Sequence, residues 1–122
     1  MTTTLTDQDR VLLKTLVALA WADGELHAGE TEWIDKVFDH LSLTPVERER
    51  FLNIPQALPS REEYNTVLTT EEDRLFLLRV LLTMAMADGT VSLDEQGMLK
   101  EVSGRLGVSE DTLEELRVQT VA

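Results

Sequence analysis

The sequence predicts an all-α fold, a single-domain bundle of about seven helices with an internal duplication. Three observations carry this. Apolar residues recur at helical spacing over most of the chain, and no stretch alternates as a strand would. Capping residues punctuate the apolar runs. Sliding the chain by 65 residues brings Asp23-Gly24 onto Asp88-Gly89, with matching residues on both sides.

The register of the duplication is dense. Leu13 falls on Leu78, Leu16 on Leu81, Ala20 on Ala85 and Ala22 on Ala87; beyond the turn Glu30 falls on Glu95, Val37 on Val102 and Leu41 on Leu106. Other pairs keep their character: Leu26 with Val91, Ile34 with Leu99, Thr44 with Ser109. The expected domain is residues 1–122, with repeats over about 6–53 and 71–119 joined by a Pro-containing linker and a short helix. A pseudo-two-fold relation between the copies is expected.

The predicted helices run over about 6–22, 28–41, 45–53, 61–67, 71–87, 93–106 and 110–119. In the first, Leu12, Leu13, Leu16, Val17, Leu19 and Ala20 make a wide apolar stripe. In the second, Ile34, Val37, Phe38 and Leu41 follow the i, i+3, i+4, i+7 pattern of a helix on a core. Thr44-Pro45-Val46-Glu47 is a full capping box with proline at the first helical position. Ser60 with Glu63, Thr69 with Glu72 and Ser92 with Glu95 repeat its spacing. Pro55 and Pro59 deny the intervening link a continuous helix. Phe76 to Ala87 is apolar nearly all round and reads as the central buried helix, followed by Leu99, Val102 and Leu106 at helical spacing.

Composition narrows the function. Apolar residues at 43% and charged residues at 28% describe a globular chain rather than a disordered one. The absence of cysteine excludes disulfides, thiolate metal sites and thiol redox chemistry carried by the protein itself. A net charge of −12 opposes nucleic-acid phosphates and anionic lipid surfaces, and suits a cation, a basic partner or solubility. The N-terminus lacks the basic and apolar regions of a signal peptide, and Phe76–Ala87, interrupted by Arg79, is too short to span a bilayer. A cytoplasmic protein without direct membrane insertion is expected.

The functional signal lies in the Asp-Gly turns. Glycine after an apolar helix is a helix stop, since it accepts left-handed backbone without a Cβ clash. A carboxylate in the last turn of a helix faces the negative end of its dipole, at a cost of about 0.3–1 kcal/mol when exposed. Asp23 and Asp88 are offset either by hydrogen bonds to local backbone or by a cation shared with Glu30 and Glu95. The spacing from Gly24 to Glu30, and from Gly89 to Glu95, matches the second half of an EF-hand loop. The first half is missing: Leu19, Trp21, Met84 and Met86 stand where ligands would be. A site pooling Asp23, Glu30, Asp88 and Glu95 requires the two turns to meet, and its carboxylates would take Ca²⁺, Mg²⁺ or Mn²⁺ before zinc. Glu95, three residues after Ser92, is in part a structural cap; Glu30 has His27 at that position and lacks that explanation.

These same residues carry a resemblance. Ala20-Trp21-Ala22-Asp23-Gly24-Glu25-Leu26 through Glu30, and Ala85-Met86-Ala87-Asp88-Gly89-Thr90-Val91 through Glu95, resemble the TerB-like family of tellurite-resistance-associated proteins. The resemblance implies a duplicated helical bundle, no established catalysis, and a role in metal-linked stress complexes. By position it implies Asp23, Glu30, Asp88 and Glu95 as metal ligands. The chain reaches its first helix almost at once, whereas the tellurite-resistance members proper are expected to carry a further N-terminal segment; the link to tellurite is therefore open to being nominal.

The remaining candidates have simpler readings. His27 reads as an exposed turn residue, and His40 as a favourable charge near a helix end. Met84, Met86 and Met98 read as core fillers, and Trp21 and Trp33 as turn or core packing. Gly104 and Gly107 flank a helix end rather than a phosphate cradle, and no nucleophile elbow, phosphate loop or zinc-protease motif occurs. The expected function is a non-enzymatic cation-binding or scaffolding module. The alternative is a metal-free acidic module docking a basic partner or a membrane-associated complex, and a carboxylate enzyme stands third. Oligomeric state is not legible.

Overall fold

The computed structural model describes residues 6–22, 24, 28–53, 57–86 and 91–121. Among these are seven helices and no strand: α1 (Asp7–Ala20), α2 (Ala28–His40), α3 (Pro45–Asn53), α4 (Arg61–Val67), α5 (Glu71–Ala85), α6 (Leu93–Leu106) and α7 (Glu110–Val121). Element count and order match the sequence reading, with ends differing by one or two residues. The largest differences have a consequence: α1 stops at Ala20 and α5 at Ala85, not at residues 22 and 87. The dipole cost assigned to Asp23 and Asp88 assumed the longer helices, and the effect fades beyond the last turn.

Local chemistry sets the helix starts. Thr44 and Glu47 form the expected box, Glu47 N–H donating to Thr44 Oγ1 (3.2 Å) and Thr44 N–H to Glu47 Oε1 (3.0 Å). Ser60 caps α4 by accepting from Glu63 N–H (3.1 Å). The cap of α5 is Thr70 rather than Thr69: its extended backbone lets Oγ1 accept from Asp73 N–H (3.1 Å). A further box at α1 pairs Thr6 with Asp9, and its aspartate in place of glutamate hid it from the sequence reading.

The 65-residue offset reappears in the hydrogen bonds. At the end of α2, Ser42 N–H donates to Asp39 O and Leu43 N–H to Phe38 O; at the end of α6, Gly107 N–H donates to Gly104 O and Val108 N–H to Ser103 O. Ser42 and Gly107 both take left-handed backbone, with φ of 58° and 73°. Packing follows the same exchange. α1 lies on α2, α3 and α6, while α5 lies on α6, α7 and α2, and α1 and α5 pack on each other. α4, resting on α1 and α6, falls outside the pattern, as does the contact of α6 with α7, which no comparable contact of α2 with α3 matches among the described residues.

The centre is thus a pair of helices, a correction to the single central helix expected from Phe76 to Ala87. Leu13, Leu16 and Leu19 of α1 share one buried core with Leu78, Leu81 and Met84 of α5. Each fully buried aliphatic side chain contributes about 1.5–3 kcal/mol. α5 is not buried all round: Phe76 is 57% exposed, and Arg79 and Thr83 also face outward. No helix of the described residues is long and apolar enough to cross a membrane.

Candidate functional site

The turn after α1 begins with Trp21, whose N–H closes the helix on Val17 O while its indole Nε1 donates to Leu52 O of α3 (3.1 Å). Trp21 therefore serves turn packing, as its position suggested. Gly24 has φ of 85°, and its N–H donates to Trp21 O (2.9 Å), but it turns the chain beyond the helix rather than stopping it, since α1 already ends at Ala20 with Trp21 as its cap. Asp23, Asp88, Gly89 and His27 lie outside the described residues.

Glu30 and Glu95 are the described members of the four-acid set. They occupy equivalent places in the first turns of α2 and α6, and both are buried, 1% and 4% exposed. Two buried glutamates in a chain rich in exposed ones are unusual, because a buried carboxylate forfeits its hydration. Their helix N-termini favour negative charge. Glu95 completes the box foreseen for it: Glu95 N–H donates to Ser92 Oγ (3.1 Å), and Ser92 N–H to Glu95 Oε1 (3.2 Å). Its other oxygen, Oε2, is buried and accepts no hydrogen bond among the described residues. Among those residues no group of three or more His, Asp or Glu side chains converges in a metal-holding cluster.

A family comparison bears on this arrangement. A protein-family model described as Tellurite resistance protein TerB matches residues 57–118, just over half of the chain. The chain belongs to the TerB family. The TerB match takes in the segment before α4, then α4, α5, α6 and most of α7, so Glu95 and its box lie within it. No curated protein and no solved structure matches this chain.

Besides a cleft of about 360 Å³ between α5 and α7, the described residues form two more of ligand size. One, of about 520 Å³, lies among α5, α6 and α7, with Glu110, Asp111, Glu114, Lys100 and Arg117 at its edge. All five are exposed, and hydrogen bonds from Arg117 hold the Glu114 carboxyl below its ordinary range, so none has the sheltered setting of a catalytic acid. The other, of about 330 Å³, is an apolar groove between α2 and α5, flanked by Asp9 and Leu12 of α1 and containing Trp33, Val37, Phe76 and Val80. The sequence reading assigned these residues to core. The available signal was that residues 57–68 lie between the two copies and match neither.

Proposed function

We propose that this TerB-family chain is a non-enzymatic, cytoplasmic module that binds a divalent cation, Ca²⁺, Mg²⁺ or Mn²⁺, through the acids around its two Asp-Gly turns. One observation carries the reading. Glu95 is 4% exposed, spends one oxygen on the Ser92 cap, and has its second oxygen buried with no hydrogen bond among the described residues. A carboxylate so placed costs several kcal/mol unless an opposite charge meets it. The equivalent burial of Glu30 supports a duplicated acid set, completed by Asp23 and Asp88. Hard carboxylate oxygens favour these cations over softer ones. The association with tellurite or metal stress comes from the family alone, and reduction of tellurite by this chain would lack a thiol.

Thermal melting of metal-stripped protein tests the reading. A cation at 100 times its dissociation constant adds about 2.7 kcal/mol. Glu95→Gln keeps an acceptor for the cap but removes the charge, so without metal it should melt no lower than wild type, and it should lose the cation-induced gain. Asp23→Asn/Asp88→Asn should lose it as well. A melt unmoved by millimolar Ca²⁺, Mg²⁺ and Mn²⁺, or a full gain in Glu95→Gln, would sink the proposal.

A further inference from the structure

The two copies differ in what covers them. α4 lies across α1 and α6, placing Tyr64 and Leu68 in the core, 0% and 5% exposed. Tyr64 OH meets Thr15 Oγ1 of α1 at 2.8 Å, and Arg105 of α6 donates to the carbonyls of Leu58 and Pro59 just ahead of α4 (3.3 and 2.9 Å). Shifting by 65 residues turns α1 into α5 and α6 into α2. The cleft equivalent to the one α4 fills is therefore the groove between α5 and α2.

Burial differs between the clefts at matching positions. Val11, Thr15, Val102 and Leu106 are buried on the covered helices, at 2%, 0%, 0% and 1% exposed. Their counterparts are Phe76, 57% exposed, and Val80, Val37 and Leu41, all half-buried. The groove that nothing covers among the described residues is the more apolar of the two, because Val80 replaces the Thr15 hydroxyl and Phe76 replaces a valine. Its volume of about 330 Å³ is in the range of formed binding sites. On its rim, exposed Lys36 and His40 stand where α6 has the Glu101–Arg105 pair.

We propose that this groove is the docking site for a short amphipathic helix of a partner protein, held as α4 is held in the equivalent cleft. The occupant presents two apolar side chains four residues apart, as α4 and its end present Tyr64 and Leu68. Its leading anchor is Phe or Leu rather than Tyr, since Val80 offers no acceptor for a hydroxyl. Ahead of the helix, an extended segment supplies carbonyl or carboxylate oxygens to His40 and Lys36. Such local acidity runs against the net charge of −12, so recognition is confined to the groove and its rim. The inference is independent of cation binding.

The probe is a synthetic peptide with the sequence of residues 57–70 carrying Tyr64→Phe, titrated into the isotope-labelled full chain. Saturable amide and indole shifts are expected at Trp33, Val37, Phe76 and Val80, and none with a scrambled peptide. Phe76→Glu, at a position already exposed, should leave the melt unchanged and weaken binding at least tenfold; Val80→Lys gives a second, independent block. The proposal is overturned by an absence of saturable shifts at millimolar peptide, by shifts centred on Thr15 and Val102, or by unchanged affinity in both variants. Sedimentation showing a dimer that Phe76→Glu dissolves would also overturn it, assigning the groove to a second copy of the chain.

Discussion

Thr15 and Tyr64 meet at 2.8 Å with both side chains fully buried, and Thr15 Oγ1 also lies 2.8 Å from Val11 O. A threonine hydroxyl has one proton, and its only acceptor here besides the tyrosine is the Val11 carbonyl. Thr15 therefore donates to Val11, and Tyr64 donates to Thr15. Together with the partly exposed Lys14–Glu63 ion pair (3.6 Å), this polar contact seats α4 on α1, and the second copy has Val80 in place of its threonine.

That direction of donation makes the two single variants unequal. Tyr64→Phe removes a donor and leaves Thr15 with its own donation intact, costing about 0.5–1.5 kcal/mol. Thr15→Val strands a buried hydroxyl and costs about 1–3 kcal/mol. The double variant should be less destabilised than the sum of the two, because neither polar group remains. Urea denaturation of the four proteins measures the cycle, and additive losses would show that the hydroxyls do not interact.

Burial also pushes the Tyr64 hydroxyl up from 10.0 to about 12. Below pH 10 the tyrosine is neutral whether the chain is folded or unfolded, and its contribution is complete. Between pH 10 and 12 the unfolded chain releases the proton while the folded chain keeps it, so stability falls. The loss reaches about 2–3 kcal/mol above the folded value. Tyr64 is the chain's one tyrosine, so tyrosinate absorbance reports it alone. Wild type should lose more stability across this window than Tyr64→Phe; parallel losses would count against the assignment.

Two glycines near the end of α6 should respond to alanine with opposite signs. Gly107 has φ of 73°, where a side chain is strained even though a Cβ would meet nothing within 4 Å. Gly107→Ala should cost about 1 kcal/mol. Gly104 lies within the helix with equal room, and Gly104→Ala should stabilise by about 0.4–1 kcal/mol. Melting temperatures moving apart would bear this out; a shared sign would show that space rather than backbone conformation governs the site.

Much of this architecture was written locally. Ser92 and Glu95 announced their box by spacing alone, because a cap is a contact across a single helical turn. The helix starting at Pro45 was equally legible. Thr70 was misplaced by one residue because two adjacent threonines offer the same hydroxyl, and only backbone geometry distinguishes them. Glu30 and Glu95 were singled out by the repeat, but their burial was not visible, since burial depends on what other helices place over the first turn.

The sequence by itself determined the seven helices, several of the caps that start them, and the 65-residue correspondence between copies, all of which rest on contacts within a few residues or on identity at a fixed offset. Tertiary packing decided which apolar faces are covered. Periodicity marks a face as apolar without naming its occupant, so Val11 and Phe76 look alike in the sequence. They differ in the fold because α4 lies on α1 and α6, and among the described residues nothing equivalent lies on α5 and α2.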